Sequence, residues 1–341
     1  MSADLGKTTR VRRARRFLSA ASPCPDDVFD PAKFVAQTVE ELRRQITGRA
    51  IIAASGGVDS TVATVLTSRA LGSDLLAVFV DTGLVRKGEV EDVDRTLKEM
   101  NVHHRIVDAG DEFFAALEGI EDPEKKRKVI GAKFIEIFER EAKPFGAGIL
   151  VQGTIAPDWI ESGGQLRDRI KSHHNVAGLP ETMALALVEP LRDLYKDEVR
   201  KVARALGLRV AERQPFPGPG LAVRCLGEVT REKVDVVRNA CAIVEEEIEA
   251  AAKAGKMSLP WQYFAAILPT RSVGVHGDVR VYGWTVAVRA IESVDGMSGR
   301  YSKIPHDVLE RISVRITSEN PTVNRVAYDV TNKPPATIEW E

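Results

Sequence analysis

The stretch that decides the fold is AIIAASGGVDST, residues 50–61. A short apolar run is followed by a serine and two glycines, and then by helical spacing that ends at Gly72, which predicts a strand, a turn and a helix. In such a turn the glycines let backbone N–H groups converge, and the helix N-terminus adds partial positive charge, so an anion can bind without a charged side chain. The stretch therefore predicts a phosphate-binding loop. Its residues are Ser55, Gly56, Gly57, Val58, Asp59, Ser60 and Thr61.

The loop differs from the better-known phosphate loops. It has no lysine in the position that the GxxxxGK[ST] pattern requires, and it does not match GxGxxG. A cradle without the lysine suits a pyrophosphate group that departs whole. The alternative is a plain tight turn in which Asp59 or Ser60 caps the helix.

Strand-like and helix-like segments alternate on both sides of the loop. The stretch LLAVFVDTG, residues 75–83, is continuously apolar, as expected of a strand covered on both faces. Further strand patterns follow at residues 103–109, 148–155 and 184–191, and helical patterns at residues 30–48, 122–143 and 196–208. This alternation predicts an α/β fold with a doubly wound parallel sheet.

The alternation of strand and helix patterns ends in RQPFPGPGLAVR, residues 213–224, where prolines and glycines exclude a continuous helix. We place a domain boundary there, with a first domain over residues 29–217 and a second over residues 218–341. The second domain contains helical patterns at residues 230–255 and 305–317, and strand patterns at residues 261–269, 272–275, 285–293 and 324–331. It is therefore predicted to be a smaller α+β domain.

Composition limits the class of protein. The chain has 341 residues, 44% of them hydrophobic, and a formal net charge of −1, which favours two packed domains and gives no overall bias toward nucleic acid or a membrane surface. No stretch reaches the roughly 18 apolar residues of a membrane span, and the start lacks the apolar core of a signal peptide. The three cysteines form no disulfide framework or metal pair. We expect a cytoplasmic protein with small-molecule ligands.

Residues 1–28 are expected to form a basic, disordered arm. Residues 7–16 carry six basic side chains and no acid, and such blocks repel one another and stay unfolded. An organelle transit peptide and an arm that contacts an acidic partner are the alternatives.

SGGVDS after a short strand resembles the loop of the N-type ATP pyrophosphatases, the adenine nucleotide alpha-hydrolase-like fold. This superfamily cleaves ATP between the α and β phosphates and adenylates an oxygen of the second substrate. The resemblance implies ATP as substrate and Mg²⁺ as cofactor, with Asp59 facing the metal. Asp81, at the end of the second strand, lies where doubly wound folds contact a ribose or base, although a turn residue is an equal alternative.

Further motifs resemble one member family, the GMP synthetases. They are QGTIAPDWIES (152–162), IKSHHNVAGLP (170–180), PFPGPGL (215–221), RSVGVHGD (271–278) and KPPATIEWE (333–341). The resemblance implies adenylation of xanthosine monophosphate (XMP) and its amination by ammonia to GMP. It also implies that the second domain forms a homodimer and helps to bind XMP.

The resemblance assigns roles to two groups of residues. A polar segment resembles a mobile lid over the phosphates; its candidate catalytic residues are Asp158, Glu161, Lys171, His173 and His174. Lys171 and a protonated histidine would neutralise the departing pyrophosphate. The XMP-binding candidates are Arg271, Lys333, Ile338 and Glu339.

Many GMP synthetases carry a glutaminase domain with a Gly-x-Cys-x-Gly turn, and this chain has no such turn. It resembles the two-subunit arrangement, in which a separate glutaminase supplies ammonia. Two rival functions are tRNA thiolation and a nucleotide-binding module without catalysis. Thiolation would require a sulfur-carrying cysteine pair or an added RNA-binding domain, whereas Cys225 and Cys241 are predicted on a strand and a helix face.

Overall fold

The computed structural model describes residues 29–156, 185–294 and 296–341. The basic arm and the lid segment therefore lie outside the described residues. None of the helices in the described part of the chain is sufficiently long and apolar to cross a lipid bilayer.

The first part of the chain is a five-stranded parallel sheet with strand order β3-β2-β1-β4-β5. Its strands are β1 (Ala50–Ala53), β2 (Leu75–Asp81), β3 (His104–Asp108), β4 (Ile149–Val151) and β5 (Ala186–Val188). Its helices are α1 (Pro31–Gln45), α2 (Val58–Leu71), α3 (Glu89–Glu99), α4 (Gly110–Leu117), α5 (Pro123–Phe145) and α6 (Lys196–Ala205). The predicted doubly wound α/β fold is confirmed.

The central strand β1 shows why the strands lack polar alternation. Ile51 packs into a cluster with Ile137 and Phe138 of α5, whereas Ile52 faces the opposite side of the sheet, among residues of α1, α2 and α6. Both isoleucines are essentially inaccessible to solvent. Helices cover both faces, so successive side chains of β1 are all apolar.

The second part of the chain holds a four-stranded sheet and two long helices. Its elements are α7 (Arg231–Lys253), β6 (Gln262–His276), β7 (Val279–Glu292), β8 (Arg300–Tyr301), α8 (His306–Glu319) and β9 (Val323–Tyr328). β6 and β8 pair antiparallel with β7, and β9 pairs with β7 in parallel. The prediction of a smaller α+β unit is confirmed.

The predicted boundaries of β6 were wrong. The sequence suggested two strands, residues 261–269 and 272–275, but the chain forms one strand with a register shift between Ile267 and Arg271. Pro269 lies in this irregularity and has no N–H to donate to a ladder. The proline interrupts the strand pattern of the sequence, whereas the strand itself continues through a bulge.

The Pro-rich connection packs tightly against the first sheet. Leu221 N donates to Leu84 O at 2.7 Å, and a Cβ on Gly220, whose φ is +64°, would lie 2.4 Å from the same carbonyl oxygen. Leu221 belongs to a buried cluster that includes Val80 of β2 and Phe264 of β6. The chain just after the boundary at residues 217 and 218 is thus packed into the protein, although Gly218 itself is exposed, and the role of this position as a domain boundary stays a prediction.

Candidate active site

The phosphate-binding loop follows the central strand at its carboxyl end. β1 leads to β2 on one side and has β4 on the other, so the chain reverses its direction of winding between β1 and β4. Open parallel sheets bind ligands at this switch point. The location agrees with a nucleotide site.

The loop keeps its shape through hydroxyl groups and glycine. Ser60 Oγ accepts from Ser55 N at 3.2 Å and lies 2.8 Å from Ser55 Oγ. Gly56 has φ +75°, and a Cβ there would lie 3.1 Å from Glu89 Oε1 and from Val93 Cγ2. The backbone angle therefore favours glycine at residue 56, and a Cβ there would also crowd the buried carboxylate of Glu89.

Gly57 is the N-cap of α2 and makes no side-chain cap bond. The alternative in which Asp59 or Ser60 caps the helix is therefore wrong, because both residues lie inside its first turn. Thr61 instead donates its hydroxyl to Gly57 O at 2.8 Å. The first-turn N–H groups, which have no partners within a helix, are left for an anion.

Asp59 is the charged side chain of the loop. Its Oδ2 atom pairs with Lys196 Nζ from the first turn of α6, and its Oδ1 atom is buried without a hydrogen-bond partner among the described residues. The side chain is 25% exposed. An unpartnered buried carboxylate oxygen beside an anion site is suited to a cation.

Lys196 was missed by the sequence analysis. It lies 137 residues after Asp59, and its side chain is about half exposed, so no local motif marks it. The loop therefore contains no lysine among its own residues, but the folded chain places Lys196 beside it. An ammonium group at this point can neutralise phosphate charge.

A cleft of about 420 Å³ opens beside the loop. One wall is apolar and belongs to α5, with Phe134, Ile135 and Phe138; the other is formed by β4 and by Gln152, Gly153 and Thr154 after it. A cleft of this size, with an apolar wall and a polar end, fits a nucleotide. A Cβ on Gly153 would lie 3.0 Å from backbone atoms of Asp59 and Ser60, so this glycine permits the close approach of the β4 wall to the phosphate-binding loop.

Asp81 lies at the end of β2 as predicted. Its Oδ1 atom accepts from Gly83 N at 2.9 Å, which is the turn role that the sequence analysis gave as the alternative. Contact of Asp81 with a ribose or base stays a prediction. Asp158, Glu161, Lys171, His173 and His174 lie outside the described residues.

The candidates for the XMP site lie on β6 and in the C-terminal segment. The Arg271 guanidinium carbon lies 3.9 Å from the centre of the Trp284 ring, and its side chain is 40% exposed. Lys333 Nζ donates to Gly296 O at 2.7 Å. Ile338 packs against the core, and its carbonyl oxygen accepts from Arg289 Nε at 2.9 Å.

Glu339 is bound by a buried arginine. Arg224 NH2 and Nε donate to the two carboxylate oxygens at 2.9 and 3.1 Å, and Gln262 donates at 2.8 Å. Burial alone would lower the pKa of Arg224, but the ion pair with Glu339 raises it above the ordinary value. The Glu339 side chain is 18% exposed, and the three hydrogen bonds fix the orientation of its carboxylate.

Comparison with known proteins identifies the family. The chain is 61% identical to a subunit of the glutamine-hydrolyzing GMP synthase of Methanopyrus kandleri over 318 residues, which cover 92% of this chain and 100% of that protein. The corresponding proteins of Pyrococcus furiosus and Thermoplasma acidophilum, which carry the same name, are 59% and 58% identical, with 91% of this chain covered in each case and 97% and 99% of those proteins. The chain belongs to this family of GMP synthase subunits.

Two further matches concern parts of the chain. The family described as GMP synthase C terminal domain matches residues 246–340. Among solved structures, NMN synthetase from Francisella tularensis matches with a TM-score of 0.44 and 16% identity, covering 61% of this chain and 85% of that one.

The family membership agrees with the chemistry of the described cysteines. Burial raises the pKa of the Cys225 thiol to about 12 and also raises that of Cys241. Cys225 follows a short 3-10 turn and forms an isolated parallel β-bridge with Ile267 instead of lying in a full strand. Neither thiol is suited to carry sulfur, and the thiolation hypothesis is not favoured.

Proposed function

We propose that this chain uses ATP to adenylate XMP and then aminates the adenylated intermediate with ammonia, giving GMP, AMP and pyrophosphate. The observation that carries this proposal is the near-complete match to relatives named as a GMP synthase subunit. The lysine-free phosphate loop beside a nucleotide-sized cleft supports it. In this reaction pyrophosphate leaves as one group, so a cradle of backbone N–H groups suits it.

The reaction has two displacements. In the first, the C2 oxygen of XMP attacks the α-phosphorus of ATP. The bond between the α-phosphorus and the oxygen that bridges to the β-phosphate breaks, and pyrophosphate leaves with that oxygen. In the second, ammonia attacks C2, and AMP leaves with that same oxygen while ammonia loses a proton. The chain mainly holds the reactants in line and neutralises charge.

The loop residues 55–61 would hold the ATP phosphates. Asp59 would bind Mg²⁺ through its Oδ1 atom, which has no hydrogen-bond partner in the described part of the chain, since a carboxylate together with phosphate oxygens is the usual ligand set of this ion. The metal would supply positive charge to the departing pyrophosphate. Lys196 would add a second positive charge at the same end of the cleft.

The lid candidates complete this neutralisation in the proposal. Lys171, with His173 or His174, would contact pyrophosphate as the site closes, and Asp158 and Glu161 would lie in the same segment. Asp81 would contact the ATP ribose or base. These assignments rest on the motif resemblance.

The XMP phosphate is assigned to Arg271 and Lys333, and the base and ribose to Ile338 and Glu339. The fixed carboxylate of Glu339 supports this assignment, because a preorganised acceptor loses little conformational freedom when it binds a ligand. Both Lys333 and Glu339 belong to a segment held in place by the protein core, which suits a binding role better than a frayed terminus would.

Ammonia would come from a separate glutaminase subunit in the cytoplasm. The naming of the relatives as one subunit of a glutamine-hydrolyzing enzyme supports this division, as does the absence of a Gly-x-Cys-x-Gly turn in the sequence. The described cysteines are buried, so neither is placed to attack glutamine.

A homodimer through the second domain is also proposed. The β6–β7 hairpin exposes large apolar side chains: Val273, Val275, Val279 and Tyr282, each at least 57% exposed. An apolar hairpin of this kind favours a partner surface, and a second copy of the chain is the proposed occupant. Sedimentation of the full chain would show a dimer, and a monomer at tens of micromolar would refute it.

The proposed function is tested by AMP formation. The purified chain is incubated with ATP, Mg²⁺ and ammonium salts, with XMP, inosine monophosphate or deamido-NAD compared as second substrates. We expect AMP and GMP to form with XMP and with neither of the other two second substrates. We expect no GMP when glutamine replaces ammonium. AMP formation with deamido-NAD but not with XMP would refute the proposal.

A further inference from the structure

The C-terminal segment, residues 329–341, is held by three cations that are essentially fully buried. Arg289 on β7 donates to the carbonyl oxygens of Thr331, Thr337 and Ile338 and to Asp329. Arg224 binds Glu339, and Lys126 binds Glu341. Buried cations are rare unless they are paired, so the course of this segment is set by charge pairing rather than by apolar contact alone.

The Lys126–Glu341 pair differs from the other two because it joins the segment to the first sheet domain. Lys126 lies in the first turns of α5 and is completely buried; its Nζ atom also donates to Cys225 O at 2.8 Å. Glu341 is 8% exposed, and its Oε1 atom accepts from Gly227 N at 3.1 Å. Both partners are thus fixed by further hydrogen bonds, so the pair has a defined geometry.

Helix α5 is also the apolar wall of the ATP cleft. Phe134 follows Lys126 by eight residues in the same helix, or about 12 Å along its axis, and Phe134, Ile135 and Phe138 line the cleft. A helix of this length is stiff compared with a loop. The pair therefore attaches the proposed XMP segment to the element that borders the ATP site.

We propose that Lys126 and Glu341 are positioning residues that set the distance between bound XMP and bound ATP. The inference rests on the proposed function, because it requires that residues 333–339 hold XMP. The adenylation step needs the C2 oxygen in line with the α-phosphorus. A misplacement of about 1 Å can slow such a step by two orders of magnitude.

Two variants of Glu341 separate positioning from stability. Glu341→Gln keeps the shape of the side chain but leaves the buried Lys126 charge uncompensated, so it is expected to lower both the melting temperature and kcat. Glu341→Asp keeps the charge and shortens the side chain by one methylene, or about 1.5 Å. Because Lys126 is held in place, we expect the shorter side chain to displace the segment.

Asp329→Asn is the matched control. Asp329 pairs with the buried Arg289, as Glu341 pairs with Lys126. Unlike Lys126 and Glu341, Asp329 and Arg289 both lie in the second domain. Arg289 retains its bonds to three backbone carbonyl groups in this variant. We expect a lower melting temperature with a kcat close to that of the parent.

The measurement is AMP formation at saturating substrates, normalised to folded protein, together with the KM for ATP. We expect both Glu341 variants to lower kcat by about tenfold to a hundredfold, with the KM for ATP unchanged within about twofold. A Glu341→Asp variant with the parent kcat, a Glu341→Gln variant that behaves like Asp329→Asn, or a raised KM for ATP at unchanged kcat would overturn the inference. If the parent forms no AMP with XMP, the proposed function itself fails. If the parent is active and the Glu341 variants have the parent kcat, only this inference fails.

Discussion

The phosphate loop and the C-terminal segment are both binding regions in this account, but they are built in opposite ways. The loop is contiguous, and most of its stabilising contacts join residues at most five positions apart. The C-terminal segment has some local hydrogen bonds, such as Ala336 N to Asn332 O, but it is anchored by Lys126, Arg224 and Arg289, which lie 40 to 215 residues away. A loop made of local contacts can be recognised as a motif, whereas a segment held by distant cations can be understood only in the fold.

The difference predicts two kinds of variant. Changes in the loop should reduce activity with little loss of stability, because its polar atoms are left for ligands. Changes in the buried cations that hold the C-terminal segment should mainly reduce stability, because each change leaves a polar or charged partner without its cation. The following variants test this contrast, starting with the largest expected effect.

Removal of the Arg224 charge should have the largest effect. Arg224→Met leaves the mostly buried Glu339 carboxylate without its charged partner, although the hydrogen bond from Gln262 remains, and we expect the free energy of unfolding to fall by about 3–5 kcal/mol. Denaturant titration measures it. The control is Arg231→Met, which breaks an exposed pair with Asp111 and should cost at most about 1 kcal/mol. Equal effects of the two variants would contradict the role given to Arg224.

Removal of the Asp59 carboxylate should abolish most of the activity. We expect Asp59→Ala to slow pyrophosphate release by about two to three orders of magnitude while the melting temperature stays near that of the parent, because Asp59 does not cap α2. Asp197→Ala is the control, since Asp197 is also a first-turn acid but is 71% exposed. A folded Asp59→Ala variant with the parent rate would refute the metal and phosphate role.

A methyl group at Gly153 should push the β4 wall of the cleft away from the phosphate-binding loop. Its Cβ would lie 3.0 Å from backbone atoms of Asp59 and Ser60, and backbone cannot move as a side chain can. We expect Gly153→Ala to weaken ATP binding by about 1–3 kcal/mol, measured by calorimetry. Gly148→Ala, where a Cβ meets nothing within 4 Å, should bind ATP like the parent. Parent-like binding by Gly153→Ala would show that the loop tolerates a displaced wall.

The smallest effect is expected for the Ser60 hydroxyl. Ser60→Ala removes the acceptor for Ser55 N and the contact with Ser55 Oγ, worth about 1 kcal/mol. We expect ATP affinity to fall several-fold without a change in turnover. Thr67→Val provides the comparison, because Thr67 lies about two turns farther along α2 than Ser60 and donates to Ala63 O. If both variants bind ATP equally, the Ser60 hydroxyl does not shape the loop.

Much of the fold could be predicted because each strand and helix has a local pattern. The apolar run from Leu75 and the Asp30–Pro31 helix start are examples, and both elements form where the sequence indicates. The continuous β6 strand could not be predicted, since Pro269 interrupts its pattern and only pairing with β7 restores it.

The candidate site was only partly predictable. The loop was found because seven consecutive residues build it. Lys196, Lys126 and Arg224 were missed, because a lysine near a helix start or an arginine after an apolar run is ordinary in sequence. Arg289 had a weak signal, as a single charge in the apolar run TVAVRAI, residues 285–291. Their burial and pairing arise only when distant elements meet.

The central claim is that ATP activates the C2 oxygen of XMP, and an isotope label tests it directly. XMP carrying ¹⁸O at C2 is converted with ATP, Mg²⁺ and ammonium, and AMP and pyrophosphate are analysed by mass spectrometry. The account predicts one ¹⁸O atom in the phosphate of AMP for each GMP formed, and none in pyrophosphate. Unlabelled AMP with the label in pyrophosphate, in inorganic phosphate or retained in the purine product would contradict it.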